Sequence, residues 1–401
     1  MMMVNFSVVL LTLLIFAGFA IDTGNLQLHQ RIAQRAADAA AVGAQYERGR
    51  GDTDWVTAGR SDAATNGVTN GVNGATVTVV SPPTSGSYSG NSAAIQAVVT
   101  QNVQLSFLSL LHVSTATVGA RAVSQPGSSN FCVYALNGSN SRTMMIGGGG
   151  TGNIGCDLFV NSSSTSALHA DGGGSLTAGA IQVVGNYDNS GTISPTPTTG
   201  VSASADPLVY ETQPSFSSCT YSNTSITSTA TLNPGTYCGG ITVSGGTVTL
   251  NPGLYIITGG INWNSSSHVT GSGVTLFFTQ GGGSSYGQVT ISGAVAVNLT
   301  APNNSSSGGI PGILMFGDRN WVSTSQNVNF NGSSTVTMQG VLYFPHTGVI
   351  FSASANIGGS YFGLVADNIT INGGATVTVP TPNYSALTTG APFKSGVVLA
   401  E

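Results

Sequence analysis

Charge is what this sequence has least of. Only 6% of its 401 residues are Asp, Glu, Lys or Arg, against roughly 25% in an ordinary soluble domain. Nine cations face fourteen acids, giving a formal net charge of -5, and beyond Arg121 the cations are Arg142, Arg319 and Lys394 alone. Phosphate binding needs clustered cations, so no nucleic-acid partner is expected. Metal-ligand spacings are missing as well. The four cysteines form no Cys-x-x-Cys pair, and His29, His112, His169, His268 and His346 share no His-x-x-x-His spacing. Neither zinc nor a metal-dependent hydrolase is indicated. A serine nucleophile elbow is not expected either, and Gly147–Gly150 with Thr151-Gly152 lacks the Lys-Ser/Thr ending of a phosphate loop. These absences lead us to expect no enzyme, no cofactor and no metal.

What is present is glycine and apolar sequence in short pieces. The 56 glycines keep no three-residue period, which excludes collagen, and 40% hydrophobic residues argue against general disorder. One apolar run is longer. From Val4 to Ile21, through Leu10, Leu14 and Phe16, no charge interrupts it before Asp22. A helix of that length just crosses a hydrocarbon layer of about 30 Å. A signal peptide would want a basic start and a small-residue cleavage site, yet no Lys or Arg precedes Arg31. We therefore expect a retained transmembrane anchor at residues 1–24, single-pass, with membrane lipid around it. The chain opens Met1-Met2-Met3 without a basic residue, so we expect the authentic start to lie upstream.

Residues 25–125 read as a small α+β region. Leu26 to Arg48 continues as helix, with Ile32, Ala36, Ala39, Ala40 and Ala44 available for one face. Propensity alone would also explain those alanines. A second helical stretch spans Asp54 to Asn66, Ala75–Val80, Ile95–Thr100 and Thr115–Ser124 read as strands, and Val103–Leu111 as a short apolar helix.

Residues 126–401 are Gly, Ser, Thr and Asn between brief Val, Ile and Leu runs, such as Val274–Phe278 and Val341–Phe344. Such text is all-β. Thr231-Leu-Asn-Pro-Gly-Thr-Tyr-Cys-Gly-Gly-Ile241 returns as Thr249-Leu-Asn-Pro-Gly-Leu-Tyr-Ile, a repeat near the length of one solenoid coil. A β-sandwich would also give many short strands, but the repeat favours a right-handed parallel β-helix. Residues 185–214, which hold Pro195, Pro197 and Pro207 and end at Pro214, read as a long excursion from it. Thr-Val-Thr recurs at 76–78, 247–249, 335–337 and 376–378 without recurring in every coil. Stacked threonines can bind an ice or polymer lattice, but Thr beside Val is also ordinary strand composition.

Cys132, Cys156, Cys219 and Cys238 lie beyond the anchor, and an even number in an exported domain suggests two disulfides among three connectivities. Neighbour pairing, Cys132 with Cys156 and Cys219 with Cys238, is favoured over four buried thiols. Acid–base chemistry on sugars needs paired carboxylates. Asp157, Asp171, Asp188, Asp206, Glu211, Asp318 and Asp367 form no local pair, and Asp318-Arg319-Asn320 reads first as a turn.

The stretch from Asp22 to Ala44, Asp-Thr-Gly-Asn-Leu-Gln-Leu-His-Gln-Arg-Ile-Ala-Gln-Arg-Ala-Ala-Asp-Ala-Ala-Ala-Val-Gly-Ala, directly after the apolar segment, resembles the N-terminal region of TadG-like proteins of the tight-adherence (Flp) pilus assembly system. Leu232–Ile241, Gly317-Asp-Arg-Asn320, Val341-Leu-Tyr-Phe-Pro345 and Val365-Ala-Asp367 resemble the Gly-rich exported region of some homologues. The resemblance implies an Asp-x-Gly turn after the anchor, an inner-membrane protein whose C-terminal domain lies in the periplasm or outside the cell, and partners among pilus or pseudopilin components. It implies no catalytic residues. The function we expect is a non-enzymatic, membrane-anchored part of pilus assembly or surface adherence, its β domain a spacer or an adhesive surface for an extracellular surface or polysaccharide. The alternative is a tethered carbohydrate-active or carbohydrate-binding β-helix.

Overall fold

The computed structural model describes residues 2–49, 52–126, 130–209, 211–322, 328–332, 335–352, 356–358, 361–387, 391–393 and 397–401. They fall into two compact units, residues 1–129 with 394–401, and residues 130–393.

In the first unit α1 runs unbroken from Met2 to Gly49. Asp22 and Gly24 lie inside it, so the implied Asp-x-Gly turn does not form. The flanking Leu, Gln, Ala and Arg are good helix formers and carry the helix across a single glycine. Ala33, Ala36, Ala37, Ala40, Ala41 and Ala44 are fully buried, at the three- and four-residue spacing of one helix face. The alanines are there for close packing. Ile32 is only partly buried at the edge of that face, and Ala39 is half-exposed outside it. One neighbour is α2, Trp55–Thr65, whose Gly59 approaches so closely that a β-carbon would stand 2.7 Å from the Ala40 carbonyl oxygen. The other is an antiparallel sheet of β1 (Thr76–Val80), β2 (Ile95–Gln104), β3 (Thr115–Pro126) and a C-terminal strand, Val397–Leu399, which returns to pair with β3. Val77, Val79, Ala97, Val99, Ala120 and Ala122 alternate onto its inner side. The expected helix over Val103–Leu111 is not there. Val103 and Gln104 complete β2, and Leu108–Leu111 is one 3-10 turn closed by His112 at φ 64°.

Among the described residues no helix is long and apolar enough to cross a membrane. The segment expected to do so is the N-terminal part of α1, and the side chain of Val4 lies outside the described residues.

The second unit is a large parallel β domain. Its strands are two to ten residues long and every pairing between them is parallel, which rules out the sandwich. They stack in three ladders. Gly253–Thr258, Ile261–Trp263 and His268–Ser272 form one coil, and the next strands in sequence, Val274–Thr279, Val289–Ile291 and Ala296–Thr300, lie one on each of them. Val248, Val269, Val297 and Val336 stack in consecutive coils as one interior column. The sequence repeat is a coil corner. Tyr237 and Tyr255 each donate a hydroxyl proton to the carbonyl four residues earlier, Asn233 at 2.7 Å and Asn251 at 2.8 Å, and the Asn251 amide donates to the Asn233 side chain.

Chain order and spatial order differ. The first strand of the unit, Phe131–Ala135, has Asp157–Val160 on one side and the much later Phe362–Ala366 on the other. From there the chain climbs outward to Thr198–Thr199, crosses to the opposite end at Tyr221–Ile226, and climbs back until Ile369–Asn372 and Thr376–Val379 meet Met144–Ile146 and Thr151–Ile154. The solenoid is thus two runs of coils joined at an internal seam. The excursion is shorter at its start than the prolines suggested, because Tyr187–Asn189, Thr192–Ser194 and Thr198–Thr199 still pair as coil strands. Cys132 is bonded to Cys156 and Cys219 to Cys238, with Cα separations of 5.9 and 5.6 Å.

Candidate functional site: an uncharged strand face and a polar strap

One ladder of the solenoid turns the scattered threonines into a surface. Thr231, Thr249, Thr270, Asn298 and Thr337 stand in register on five successive coils, and Thr378, Asn153, Thr177 and Ser194 continue the column across the seam. Two residues earlier on each strand runs a second column, including Thr247, His268, Ala296, Thr376, Thr151, Ser175 and Thr192. The residues between them point inward and are mostly valine, isoleucine or leucine, so alternation puts every hydroxyl or amide outside. Neighbouring rows are about 4.8 Å apart along the stack and about 6.6 Å apart along the strand. No Asp, Glu, Lys or Arg stands on any strand of this ladder. The triplets at 247–249, 335–337 and 376–378 share one register, the coils between them supplying His, Ala, Asn or Gly at one or both positions. The fourth, Thr76–Thr78, belongs to β1 and has no part in this face.

A second polar cluster holds the excursion against the stack. Arg319 directs Nε to the Tyr343 hydroxyl at 2.9 Å and Nη2 to the carbonyls of Leu208 and Glu211, both at 2.8 Å. Its guanidinium lies over the rings of Phe316 and Tyr343. Tyr343 donates to Asp206 at 2.6 Å. Gln213 donates to Asp318 at 3.0 Å and accepts from the Arg319 amide at 2.9 Å. Asp318 also accepts from Thr279 at 2.6 Å. Residues 204–209 and 211–213 thereby form a strap, begun by the Ser204 amide donating to Asn161 at 2.9 Å, with the Cys219–Cys238 disulfide lying further along the chain. Burial, reinforced by Asp206, raises the Tyr343 hydroxyl pKa. Burial together with Asp318 pushes that of Tyr286 up to about 12. Both phenols are therefore hydrogen-bonding groups rather than bases near neutrality.

The remaining candidates are dispersed. His169 lies between two carboxylates, Asp171 at 2.9 Å on Nε2 and Asp188 on Nδ1. Burial opposes its protonation, but the bonds to Asp171 and Asp188 outweigh it and raise the imidazole pKa. Asp157 accepts from the Ala180 amide at 2.8 Å, and Asp367 from the Asn137 side chain at 3.1 Å. Among the described residues no three His, Cys, Asp or Glu are grouped to hold a metal ion. Contrary to expectation, Gly283-Ser-Ser-Tyr-Gly287 has the spacing of a nucleophile elbow. It lies between the strands ending at Thr279 and beginning at Val289, with no helix following, so the strand-to-helix turn that exposes such a serine is missing. Sequence reasoning missed the pairing of Asp206 with Tyr343 and of Leu208 with Arg319, which are separated by more than a hundred residues. For Asp188 a signal existed, since it occupies the coil position directly after His169.

Anchor residues Leu10, Leu14, Phe16 and Ile21 are 47–67% exposed on α1, as are their neighbours Val9, Leu13, Ile15 and Phe19. These exposed apolar side chains are spread around most of the helix, the side at Gly18 being covered. No curated protein and no solved structure matches the chain. Residues 3–46, within α1, match the family model described as Putative Flp pilus-assembly TadE/G-like. The N-terminal segment of this chain is therefore TadE/G-like, and α1 is the element that carries the likeness.

Proposed function

We propose that this protein is a non-enzymatic, single-pass component of a Flp pilus assembly or surface-adherence system. α1 anchors it in the inner membrane, and a right-handed parallel β-helix is displayed beyond as an adhesive spacer. The family match at residues 3–46 supports the pilus context. Exposed apolar side chains spread around most of α1 between Val9 and Ile21 support the anchor, because a water-facing helix would keep one polar side. Two disulfides fit an oxidising compartment.

The observation that carries the adhesive reading is the uncharged hydroxyl and amide face repeated from coil to coil. A neutral periodic face suits a neutral periodic ligand such as an extracellular polysaccharide, through many weak hydrogen bonds that need no charge steering. The carbohydrate-active alternative is less well supported. Asp206 and Asp318 are already committed to Tyr343, Gln213 and Thr279. Replacing Thr249, Thr337 and Thr378 together by lysine tests the reading in cells. Surface attachment should fall at least tenfold while pilus display is retained, and unchanged attachment would refute the adhesive face.

A further inference from the structure

The tip between β2 and β3 is built as a companion to the anchor. Going toward the N terminus of α1, the sheet follows the helix by side-chain bonds from Gln101 to the His29 carbonyl at 2.9 Å and from Asn25 to the Gln104 carbonyl at 3.2 Å. At Asp22 the sheet has ended and the tip takes over. The Asp22 carboxylate, 1% exposed, accepts from the backbone amides of Ser106, Phe107 and Leu108 at 2.9, 3.0 and 2.7 Å. One turn earlier, Gly18 gives the Phe107 ring its place, since a β-carbon there would stand 2.5 Å from it. A single carboxylate and a single glycine thus fix the tip to the helix where its exposed apolar stretch begins.

What the tip presents is unusual for a water-facing loop. Phe107, Leu110 and Val113 are 40%, 77% and 48% exposed, and no Asp, Glu, Lys or Arg occurs from Gln101 to Ala120. Ordinary hairpin tips are polar. This one packs on the helix at Gly18, within the stretch where Phe16, Phe19 and Ile21 are exposed.

We propose that the Phe107–Val113 tip is a membrane-interface wedge: it inserts Phe107, Leu110 and Val113 into the headgroup and acyl boundary beside α1, giving the first unit a second point of contact with lipid. The inference rests on the reading of α1 as an anchor. Two contacts fix a rotation about the helix axis that one helix leaves free, and they set the orientation of the unit to the bilayer. Asp22 is a positioning residue in this device, holding the loop by its backbone.

The test uses the full chain in vesicles of phosphatidylethanolamine and phosphatidylglycerol. Because the described cysteines are all in disulfides, a cysteine introduced as Phe16→Cys, Leu110→Cys or Ser89→Cys can carry one environment-sensitive fluorophore each. Acyl-brominated lipid should quench the labels at positions 16 and 110 at least twofold and leave the label at position 89 unchanged. Quenching at 16 without quenching at 110 would overturn the wedge while leaving the anchor intact. Quenching at neither would remove the anchor, and the wedge with it. Asp22→Ala in the Leu110→Cys background should abolish quenching at 110 but not at 16 if the carboxylate sets the loop, and retained quenching at 110 would overturn that role.

Discussion

Arg319 shows how far a residue's role can lie from its sequence neighbours. Asp318-Arg319-Asn320 was legible as a polar turn, and the Asn320 amide does donate to Asp318 at 2.8 Å. The carbonyls it clamps belong to Leu208 and Glu211, and no local pattern announces a partner brought in by topology. Arg319→Lys keeps the charge but loses the planar fork. It should cost about 1–3 kcal/mol through unpaired strap carbonyls, seen as a lower denaturation midpoint with new proteolytic cuts within residues 204–213. An unchanged cleavage pattern would remove Arg319 as the clamp. His169 makes a pH-dependent contribution of the opposite kind to acid denaturation. Its pKa is raised in the folded state above the ordinary 6.5, so its protonation favours folding. That contribution is complete below about pH 6.5 and is lost as pH rises through the folded value. His169→Gln should flatten the stability profile in that window alone, and a parallel profile would show that the Asp171 and Asp188 bonds carry no such linkage.

At the scale of elements, runs of Val, Ile and Leu identified the strands well. Val274–Phe278, Val289–Ile291 and Ile369–Ile371 all lie in strands, since an inward-facing residue must be apolar wherever a coil wall is two-sided. Coils with little apolar content were misread. Tyr187–Asn189 and Thr192–Ser194 are held by the ladder of the coil beneath rather than by their own sequence. Alanine on α1 was ambiguous for a different reason, because the best helix former is also the smallest packing residue. The structure resolves this at Gly59, where Gly59→Val should destabilise the first unit by roughly 1–3 kcal/mol through overpacking against Ala40, although valine normally exceeds glycine in helix propensity. A thermal midpoint that rises instead would mean that α1 and α2 separate freely. Cys219 and Cys238, 19 residues apart, close a loop whose cross-link is worth about 3 kcal/mol in the chain-entropy model. The double serine variant should lose about that much in denaturant titration, and a loss near zero would show that the cross-link adds no net stability.

The molecule as a whole has an order that the sequence concealed. The Leu-Asn-Pro-Gly repeat reports a coil, but nothing in residues 130–199 says that their lower neighbours are the last coils made. Met144–Ile146 rests on Ile369–Ile371 at the seam. Ile371, 1% exposed, is shared by both runs. Ile371→Asp should therefore release both together, costing several kcal/mol for a buried charge. Pulse proteolysis with peptide mapping should show residues 130–199 and 220–350 becoming cleavable in one transition, and survival of either run alone would refute that coupling. The same seam bears on biogenesis. Ribosomes deliver Phe131–Ala135 well before Phe362–Ala366 exists, so the newborn strand must wait with a bare row of amides and carbonyls, an invitation to wrong partners. The tail of the polypeptide then acts as an internal chaperone for its beginning, and release of the nascent chain becomes the moment at which the earliest-made coils are first protected on both sides.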